Sequence, residues 1–418
     1  MASIHPFRGI SFCPRCDLNK ILVPPYDVIS EEERERFIKQ DPHNYVRLLL
    51  GDGENWHDGA AKIFQDWRKE KVLVQDDVPC FYLSEEEFIR PDTGAKVIRR
   101  GFFAAVSVEE YEKQVIRPHE KTHPGPKLDR LKLLKATHAQ LDPIFGTFPG
   151  SAIITEIFAN EMKKKPAREF TDYAGVIHRI WKVSDPKLTE TIQKTLADQP
   201  IYIIDGHHRY ETSLNYATRR HKEENTKPPL PFDQTLFCLV PMDDPGLICL
   251  PTHRILKTLP KNINEILALA GVLFDVTEIT GEITIPPGQI VLVTSQGVYS
   301  LRLREPEKLF GCIGGGGKAP LFYQQMPVVL LHQIILEGLL GLGEMEQRNA
   351  IEYVKGEAKA TKRAVELAQE GEIPALFLLP PATVDQVKQV ADDSLFMPQK
   401  TTFFVPKILS GQVIYSFE

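Results

Sequence analysis

The spacing of apolar and polar residues along the chain predicts helices and strands in alternation. Ser30 followed by three glutamates has the capping-box pattern and predicts a helix from Glu31 to about Gln40. The stretch "WHDGAAKIFQDWRKEKVL" repeats its apolar residues at helical spacing and predicts a second helix. "CFYLSEEEFI" and "VIRRGFFAAVSV" are rich in β-branched and aromatic residues and predict two strands, joined by a turn at residues 91–94.

The rest of the chain continues this alternation. "GVIHRIWKV" predicts a strand, "SDPKLTETIQKTLAD" a capped helix, "PIYIID" a strand and "RYETSLNYATRRHKEE" a helix. "QTLFCLVP", "LICLPTHRIL", "QIVLVTS" and "VYSLRL" predict further strands, and "VVLLHQIILEGLLGL" predicts a helix. The pattern therefore predicts an α/β to α+β fold. At 418 residues the chain is long enough for several domains, and we expect three parts, residues 1–115, 116–260 and 261–418.

Composition and charge narrow the functional classes. Hydrophobic residues make up 42% of the chain and charged residues 25%, which is typical of folded globular domains. The net charge of -6 supplies no overall positive field, so we expect no nucleic-acid partner. The sequence has no apolar run long enough to span a membrane and no signal-peptide pattern at its start. We therefore expect a cytoplasmic protein with no membrane partner.

Six cysteines are scattered through the chain, which is typical of a reducing compartment. Cys13 and Cys16 have the CxxC spacing that occurs in metal and redox sites. A zinc site needs two further ligands, and the sequence has no second CxxC pair. The favoured interpretation of this pair is an ordinary reduced loop.

The most unusual stretch is "IYIIDGHHRYETSL", in which a cluster of polar residues directly follows an apolar strand. Gly206 permits close approach of the backbone, and a helix that begins after it directs free N–H groups and its positive dipole end to one point. His208 and Arg209 add side-chain donors, and an arginine is able to hold phosphate through two hydrogen bonds. Residues 206–209 therefore predict a phosphate-binding turn without a Walker lysine.

Asp205 lies beside this turn, where an unpaired carboxylate repels phosphate unless Mg²⁺ lies between them or a histidine pairs with it. We favour Mg²⁺ coordination by Asp205, or orientation of a hydroxyl. The alternative is an N-capping aspartate next to two surface histidines. Zinc is the weakest interpretation, because adjacent residues rarely bind one ion and no cysteine is near.

Two further clusters are candidates for the acceptor side of such a site. In "RPHEKT", Glu120 lies in a basic, proline-bounded loop and is a candidate general base; the alternative is a solvated charged turn. In "FMPQKTTFFVPK", Lys400, Thr401 and Thr402 supply an ammonium group and two hydroxyls for a carboxylate or phosphate. A β-edge or a turn explains this second cluster equally well. "LPTHRIL" adds a basic pair at a strand end, for the pocket or for a surface ion pair.

These motifs resemble known proteins when they are taken together. "DGHHR" after an apolar strand, "PHE" in an upstream loop and "PxKTT" near the C-terminus are similar to motifs of the archaeal free L-serine kinases, members of the ParB/sulfiredoxin-like nucleotide-binding superfamily. "ILVPPYDVIS", "PHEKT", "DGHHRYETSL", "LPTHRIL" and "MPQKTTFFVPK" also resemble a widespread bacterial and archaeal family of about this length that has long been uncharacterised. The second resemblance covers nearly the whole chain, and the first covers the centre and the far C-terminus.

The kinase resemblance implies a fold and a set of roles. It implies a ParB/sulfiredoxin-like nucleotide-binding core at residues 116–260, with additional N- and C-terminal α/β units. Glu120 stands where a glutamate activates the serine hydroxyl, and Asp205 where an aspartate lies near the transferred phosphoryl group. The implied donor is ADP or ATP, with Mg²⁺. The residues that match the phosphate-binding turn and the substrate end are Gly206, His207, His208, Arg209, Lys400, Thr401 and Thr402.

One departure from the kinase pattern concerns the acceptor. Phe403 and Phe404 follow the two threonines where the kinase has a basic pair, and they offer apolar area without charge for a carboxylate. The resemblance therefore implies a kinase whose acceptor is the hydroxyl of a small metabolite, either free L-serine or a different alcohol. The alternative is a ParB-type regulatory protein that binds CTP or ATP and has no metabolite kinase activity.

Overall fold

The computed structural model describes residues 2–122, 124–306 and 319–417 of the chain. Its strands follow in chain order: β1 Ile4–His5, β2 Ile10–Phe12, β3 Leu73–Gln75, β4 Phe81–Ile89, β5 Lys96–Ser107, β6 Ile116–Arg117, β7 Ala139–Gln140, β8 Ile144–Phe148, β9 Arg168–Thr171, β10 Ile177–Val183, β11 Ile201–Asp205, β12 Gln234–Pro241, β13 Ile248–Leu250, β14 Thr252–Leu256, β15 Phe274–Glu278, β16 Ile290–Thr294, β17 Gly297–Leu303, β18 Ile351–Lys355, β19 Ala375–Leu378, β20 Phe403–Val405 and β21 Tyr415–Ser416.

The α-helices of the described residues follow in the same order: α1 Leu18–Ile21, α2 Glu31–Gln40, α3 Val46–Leu49, α4 Trp56–Lys69, α5 Pro124–Thr137, α6 Ala152–Glu161, α7 Pro186–Ala197, α8 His207–Glu224, α9 Ile263–Ala270, α10 Leu321–Gln324, α11 Pro327–Val329, α12 Glu344–Ala350, α13 Ala358–Glu370 and α14 Val384–Asp392. A π-helix extends over Leu330–Leu339. The chain is thus a mixed α/β protein that divides into two compact units.

The first unit comprises Met1–Arg90, Ala95–Ile248 and Pro406–Glu418. Within the described residues, nine of its strands form one sheet in the order β6-β11-β8-β12-β5-β4-β10-β9, with β1 paired to β5. The sheet is mixed, because β6 pairs with β11 and β8 pairs with β12 in parallel, whereas β4 and β5 are antiparallel. Cross-strand ion pairs Glu85–Arg100 and Glu86–Arg99 match the register of β4 and β5.

One apolar cluster joins this sheet to its helices. Strand residues such as Phe102, Ile203 and Phe237 are fully buried there, together with Phe158 of α6 and Ile192 of α7. Strands that are apolar and buried along most of their length are expected where helices cover the sheet. The strand β11, which precedes the polar cluster at residues 205–209, belongs to this core, and the core therefore fixes where that cluster begins.

The second unit comprises Pro91–Gly94 and Cys249–Val405. Six of its described strands form an antiparallel sheet in the order β15-β17-β16-β19-β14-β18. Its core contains strand residues such as Val291 and Leu376, and Ala364 and Ala368 of α13 lie against them. Small residues on α13 allow close approach of the helix to the sheet.

Most of the predicted elements are confirmed. Helix α2 has the predicted bounds, and the Ser30 hydroxyl and Glu33 carboxylate form the reciprocal capping box. "VVLLHQIILEGLLGL" differs from the prediction, because it forms α11 and the π-helix instead of one regular α-helix. The three predicted parts also differ from the two observed units: β5 from residues 1–115 and β12 from residues 116–260 pair in the same sheet.

No single helix in the described part of the chain is long and apolar enough to cross a membrane. One bent pair in this part of the chain, Pro327–Leu339 with Glu344–Ala350 at 105°, meets the criterion by length and composition only.

Candidate functional site

Two polar loops of the first unit follow neighbouring parallel strands. In the pairing of β6 with β11, Ile116 lies opposite Ile201 and Arg117 opposite Tyr202. The loop at residues 118–122, which carries Glu120, begins after β6, and the turn at residues 205–209 begins at the end of β11. Since carboxyl ends of parallel strands meet at one edge of a sheet, the fold brings both predicted clusters to the same edge.

The turn at residues 205–209 has a backbone that requires glycine. Gly206 is the N-cap of α8 and has a left-handed φ of 93°. A Cβ atom there would lie 2.9 Å from the guanidinium carbon of Arg209, so a larger residue would be strained and crowded. Gly206 has no side chain to cap α8, and the positive dipole end of this 18-residue helix lies at the turn.

The N-capping role weighed for Asp205 is wrong, because Gly206 occupies that position. The Asp205 carboxylate instead lies between two cations: Oδ2 accepts a hydrogen bond from Nη2 of Arg209 at 2.8 Å, and Oδ1 accepts one from Nζ of Lys407 at 2.5 Å. Burial by itself would raise the pKa of Asp205, but the charges of Lys407 and Arg209 outweigh burial and hold that pKa well below its usual range. Asp205, Arg209 and Lys407 together carry one net positive charge.

Lys407 was missed in the sequence analysis. It follows the chosen "KTT" motif by only a few residues, and its side chain is 17% exposed. Ile408 and Leu409, which come directly after it, are buried. A lysine inside the apolar stretch "FFVPKIL" is the signal that identifies it, since lysine is rarely buried without a partner.

Arg209 is directed inward. Its side chain is 6% exposed; Nη1 donates to the carbonyl oxygen of Pro143 and Nη2 donates to Asp205. Burial alone would lower the pKa of this guanidinium, but Asp205, Asp142 and Asp27 raise it. Arg209 therefore acts on the turn as a fixed positive charge, and two of its donors already bind protein oxygens.

Two histidines connect the two loops. The rings of His119 and His207 meet edge to face with centroids 4.8 Å apart, and the backbone N–H of His119 donates to Nε2 of His207 at 3.4 Å. Nδ1 of His119 donates to the carbonyl oxygen of Ile203 at 2.9 Å. Burial lowers the pKa of His119 to about 4 and the pKa of His207 well below its ordinary value. Both rings are neutral at pH 7, so the positive charge of the site resides on Arg209 and Lys407.

A second set of contacts holds the loop on the other side of Glu120. The Thr122 hydroxyl donates to Oε2 of Glu211 at 2.7 Å, and Nζ of Lys127 donates to the same oxygen at 2.5 Å. Lys127 also donates to the Thr122 hydroxyl at 2.8 Å. Glu120 is half-buried in a bend between His119 and Thr122. The loop that carries it is therefore anchored to the first two turns of α8.

The N-terminal stretch "ILVPPYDVIS" also contributes to this region. The Arg130 guanidinium of α5 lies 4.0 Å from the centroid of the Tyr26 ring. Burial, followed by the charge of Asp27, raises the pKa of Tyr26 to about 12. Arg130 and Arg209 both line a small cavity of about 40 Å³, beside Asp142. No sequence motif marks Tyr26 or Arg130 as a site residue, because their proximity depends on long-range packing.

A larger cavity of the first unit, about 460 Å³, contains none of the predicted site residues. Its lining includes Glu85, Arg100, Phe158, Met162 and Asp243. Size favours this cavity over the small one beside Asp142. The anion-attracting charge, the uncapped helix end and the anchored glutamate lie instead at the edge formed by β6 and β11, which we treat as the candidate site.

Lys400, Thr401 and Thr402 belong to the second unit. Lys400 is exposed and lies in a turn before β20, with a left-handed φ of 54°. The buried Thr401 donates its hydroxyl to the carbonyl oxygen of Pro398. Nη2 of Arg254, from "LPTHRIL", donates to the carbonyl oxygens of Gln399 and Lys400 at 3.1 and 3.2 Å. Two motifs singled out from the sequence are thus joined within this unit.

Phe403 and Phe404, which follow, occupy different environments. Phe404 is 1% exposed and is part of the core. The ring of Phe403 is half-buried, and Nζ of Lys355 lies 5.0 Å from its centroid, within the range of a cation–π contact. Of these two residues, only Phe403 therefore has an aromatic face that a ligand could contact.

Comparison with known proteins gives a family match and several distant structural similarities. A family model described as "Protein of unknown function (DUF1015)" matches residues 4–328. No curated protein matches the chain.

Solved structures that resemble this chain include a free serine kinase, SbnI and a conserved hypothetical protein. A free serine kinase in complex with AMP is 15% identical, with a TM-score of 0.32, and the match covers 74% of this chain and 88% of that one. SbnI from Staphylococcus aureus is 12% identical, with a TM-score of 0.37, covering 74% and 86%. A conserved hypothetical protein from Pyrococcus furiosus is 14% identical, with a TM-score of 0.33, covering 76% and 95%. Every one of these TM-scores is below 0.5, so these similarities assign no function to this chain.

Proposed function

Because the chain belongs to the DUF1015 family, whose description names no function, we propose a function from the residues of the chain. The protein is a kinase that transfers a phosphoryl group from ADP or ATP to the hydroxyl of a small metabolite. The acceptor is free L-serine or a related alcohol. The observation that carries the proposal is the turn at residues 205–209, where an uncapped helix N-terminus, a left-handed glycine and one net positive charge coincide.

The turn supports the binding of nucleotide phosphates. The backbone N–H groups of His207 and His208 point out of the first turn of α8, and the helix dipole favours negative charge there. Lys407 and Arg209 add charge, and the neutral His119 and His207 add none. A terminal phosphate also gains from its approach to Lys407, whose ammonium group then lies between two anions.

Glu120 is the proposed general base. The acceptor hydroxyl oxygen attacks the terminal phosphorus, the bond from phosphorus to the bridging oxygen breaks, and its electron pair remains on the AMP or ADP that leaves. The hydroxyl proton passes to the Glu120 carboxylate. Anchoring of the loop through His119 and Thr122 holds this carboxylate in place, which general-base catalysis requires.

The Mg²⁺ role proposed for Asp205 stays a prediction. Both of its carboxylate oxygens already accept hydrogen bonds from cations. In the described part of the chain, no group of three or more His, Cys, Asp or Glu residues is placed to hold a metal ion. These residues do not fit a metal site of their own, and a Mg²⁺ ion would depend mainly on nucleotide phosphates for its ligands.

We extend the proposal to the acceptor and to the fold. Lys400, Thr401 and Thr402 remain the proposed substrate-binding residues, and an exposed ammonium group on Lys400 suits an acceptor that carries a negative group. The succession of β11, the glycine turn and α8 supports the assignment of residues 116–260 to a ParB/sulfiredoxin-like nucleotide-binding core.

A transfer assay tests the function. Purified protein is incubated with ADP or ATP, Mg²⁺ and a panel of small alcohols that includes L-serine, and products are identified by ³¹P NMR. We expect a phosphate ester that appears in step with AMP or ADP and depends on one alcohol of the panel. Saturable nucleotide binding with no ester from any alcohol would contradict the kinase and favour the regulatory protein.

A further inference from the structure

The CxxC segment forms a tight turn in the first unit, between β2 and α1. The backbone N–H of Cys16 donates to the carbonyl oxygen of Cys13 at 3.0 Å, which closes a four-residue turn with Pro14 at its second position. The Sγ atoms of the two cysteines are 3.1 Å apart. Turn closure brings the two Cα atoms within about 7 Å, which is close to the Cα–Cα range of disulfides. A disulfide bond would require the Sγ–Sγ distance to shorten to about 2.05 Å.

The chain on both sides of this turn is held in place. The backbone N–H of Cys13 donates to the carbonyl oxygen of Val72 at 2.8 Å. Asp17, directly after Cys16, caps α1 by accepting from the backbone N–H of Asn19 at 3.3 Å. Because both ends are fixed, the two sulfur atoms approach each other without rearrangement of the backbone, which lowers the entropic cost of joining them.

The two thiols have different environments. Cys13 is 8% exposed, and Cys16 is half-buried. Burial would raise the pKa of Cys13, but hydrogen bonds from Cys16 and Arg15 outweigh burial and lower it. Burial and the adjacent Cys13 sulfur raise the pKa of Cys16 to about 11. The lowered pKa of Cys13 beside the raised pKa of Cys16 suits an attacking and a resolving cysteine.

A metal site does not account for this pair. In the part of the chain that the structure describes, no group of three or more His, Cys, Asp or Glu residues is placed to hold a metal ion. Zinc sites of the structural type use four ligands, and two cysteines at this spacing supply half of them.

We propose that Cys13 and Cys16 are a dithiol site that a small peroxide oxidises to a disulfide, with Cys13 attacking and Cys16 resolving. The Sγ–Sγ distance of 3.1 Å inside a turn fixed at both ends carries this inference. It is independent of the kinase proposal.

The oxidation balances with one peroxide molecule. The Cys13 thiolate attacks one oxygen of hydrogen peroxide, which forms a sulfenic acid and releases hydroxide; the hydroxide takes up a proton to give water. The Cys16 sulfur then attacks the Cys13 sulfur, loses its thiol proton and expels hydroxide, and these two form a second water. Two thiols are oxidised, and the peroxide is reduced to two waters.

The wild-type protein provides the first measurement. Reduced protein is exposed to one equivalent of hydrogen peroxide, denatured, alkylated and digested. We expect the peptide that contains Cys13 and Cys16 to escape alkylation and to lose the mass of two hydrogen atoms, at least about tenfold faster than the half-buried Cys249 is oxidised. Dithiothreitol should restore both thiols. Buried Cys80 and Cys238 are further comparisons within the chain.

A substitution separates the two roles. In Cys16→Ser the resolving thiol is gone, and we expect a sulfenic acid on Cys13 that a 1,3-diketone probe captures. The proposal would be overturned by alkylation of both cysteines after a peroxide dose that oxidises Cys249. It would equally be overturned by a disulfide from Cys13 to Cys80, or by stoichiometric zinc that chelation removes from Cys13 and Cys16.

Discussion

Glutamine in place of Glu120 should lower the rate of phosphoryl transfer by a factor of about 10² to 10⁴, while the dissociation constant for the nucleotide stays nearly unchanged. The amide has almost the same size as the carboxylate but cannot accept the acceptor's proton. The contacts that anchor the loop come from His119 and Thr122, so the loop itself keeps its position in this variant. Single-turnover kinetics with excess enzyme measure the chemical step, and calorimetric titration measures nucleotide binding.

Glu112→Gln is the matched control, because Glu112 is an exposed glutamate on the chain segment that leads into β6. It should leave both the rate and the nucleotide affinity unchanged. Equal rates in Glu120→Gln and the parent protein would remove Glu120 from the mechanism. A parallel loss of rate and nucleotide affinity would instead assign it a binding role.

Methionine in place of Arg209 should lower the free energy of unfolding by about 3–5 kcal/mol and weaken nucleotide binding. The substitution leaves the Asp205 carboxylate, which is 19% exposed, with Lys407 as its remaining charged partner, and the net charge of these side chains falls from one positive charge to zero. Burial by itself would raise the pKa of Asp205, and in this variant only Lys407 remains of the two cations that lower it. Part of the positive charge that attracts phosphate to the turn is also lost. Chemical denaturation measures the unfolding free energy.

Lys62→Met is the control for that measurement. Lys62 and Asp66 form an ion pair at the same i,i+4 helical spacing, but the Lys62 side chain is 78% exposed. Because such exposed pairs contribute little, its removal should leave the unfolding free energy almost unchanged. The double variant Asp205→Asn with Arg209→Met should recover part of the stability that Arg209→Met loses, because it has no Asp205 carboxylate that needs the charge of Arg209. A cost for Arg209→Met as small as that for Lys62→Met would contradict a buried charge cluster.

The local features of this chain could be predicted from sequence because their causes are local. The capping box of α2 needs only Ser30 and Glu33, three residues apart, and its bounds are the predicted ones. The end of β11 and the start of α8 were likewise marked by an apolar run, a glycine and a polar helix. Glu120, His207 and Arg209 were singled out for the same reason, since their residue types and spacing carry the signal.

The relations between distant segments could not be predicted in this way. Lys407 meets Asp205 across 202 residues of chain, and no local pattern contains that pairing. The parallel pairing of β6 with β11, which brings the Glu120 loop to the turn, depends on the order of strands in the sheet. The single large sheet that contains both β5 and β12 has the same origin, and a linear division of the chain into three parts cannot express it.

Hydrogen–deuterium exchange with and without ADP or ATP, read at single-residue resolution, addresses the binding of nucleotide phosphates at this turn. The account predicts that saturating nucleotide slows exchange of the backbone N–H groups of His207 and His208 and of the loop at residues 118–122, and leaves the cavity lined by Glu85 and Asp243 unchanged. Unchanged exchange at residues 206–209 in the presence of bound nucleotide, or protection confined to that other cavity, would contradict it.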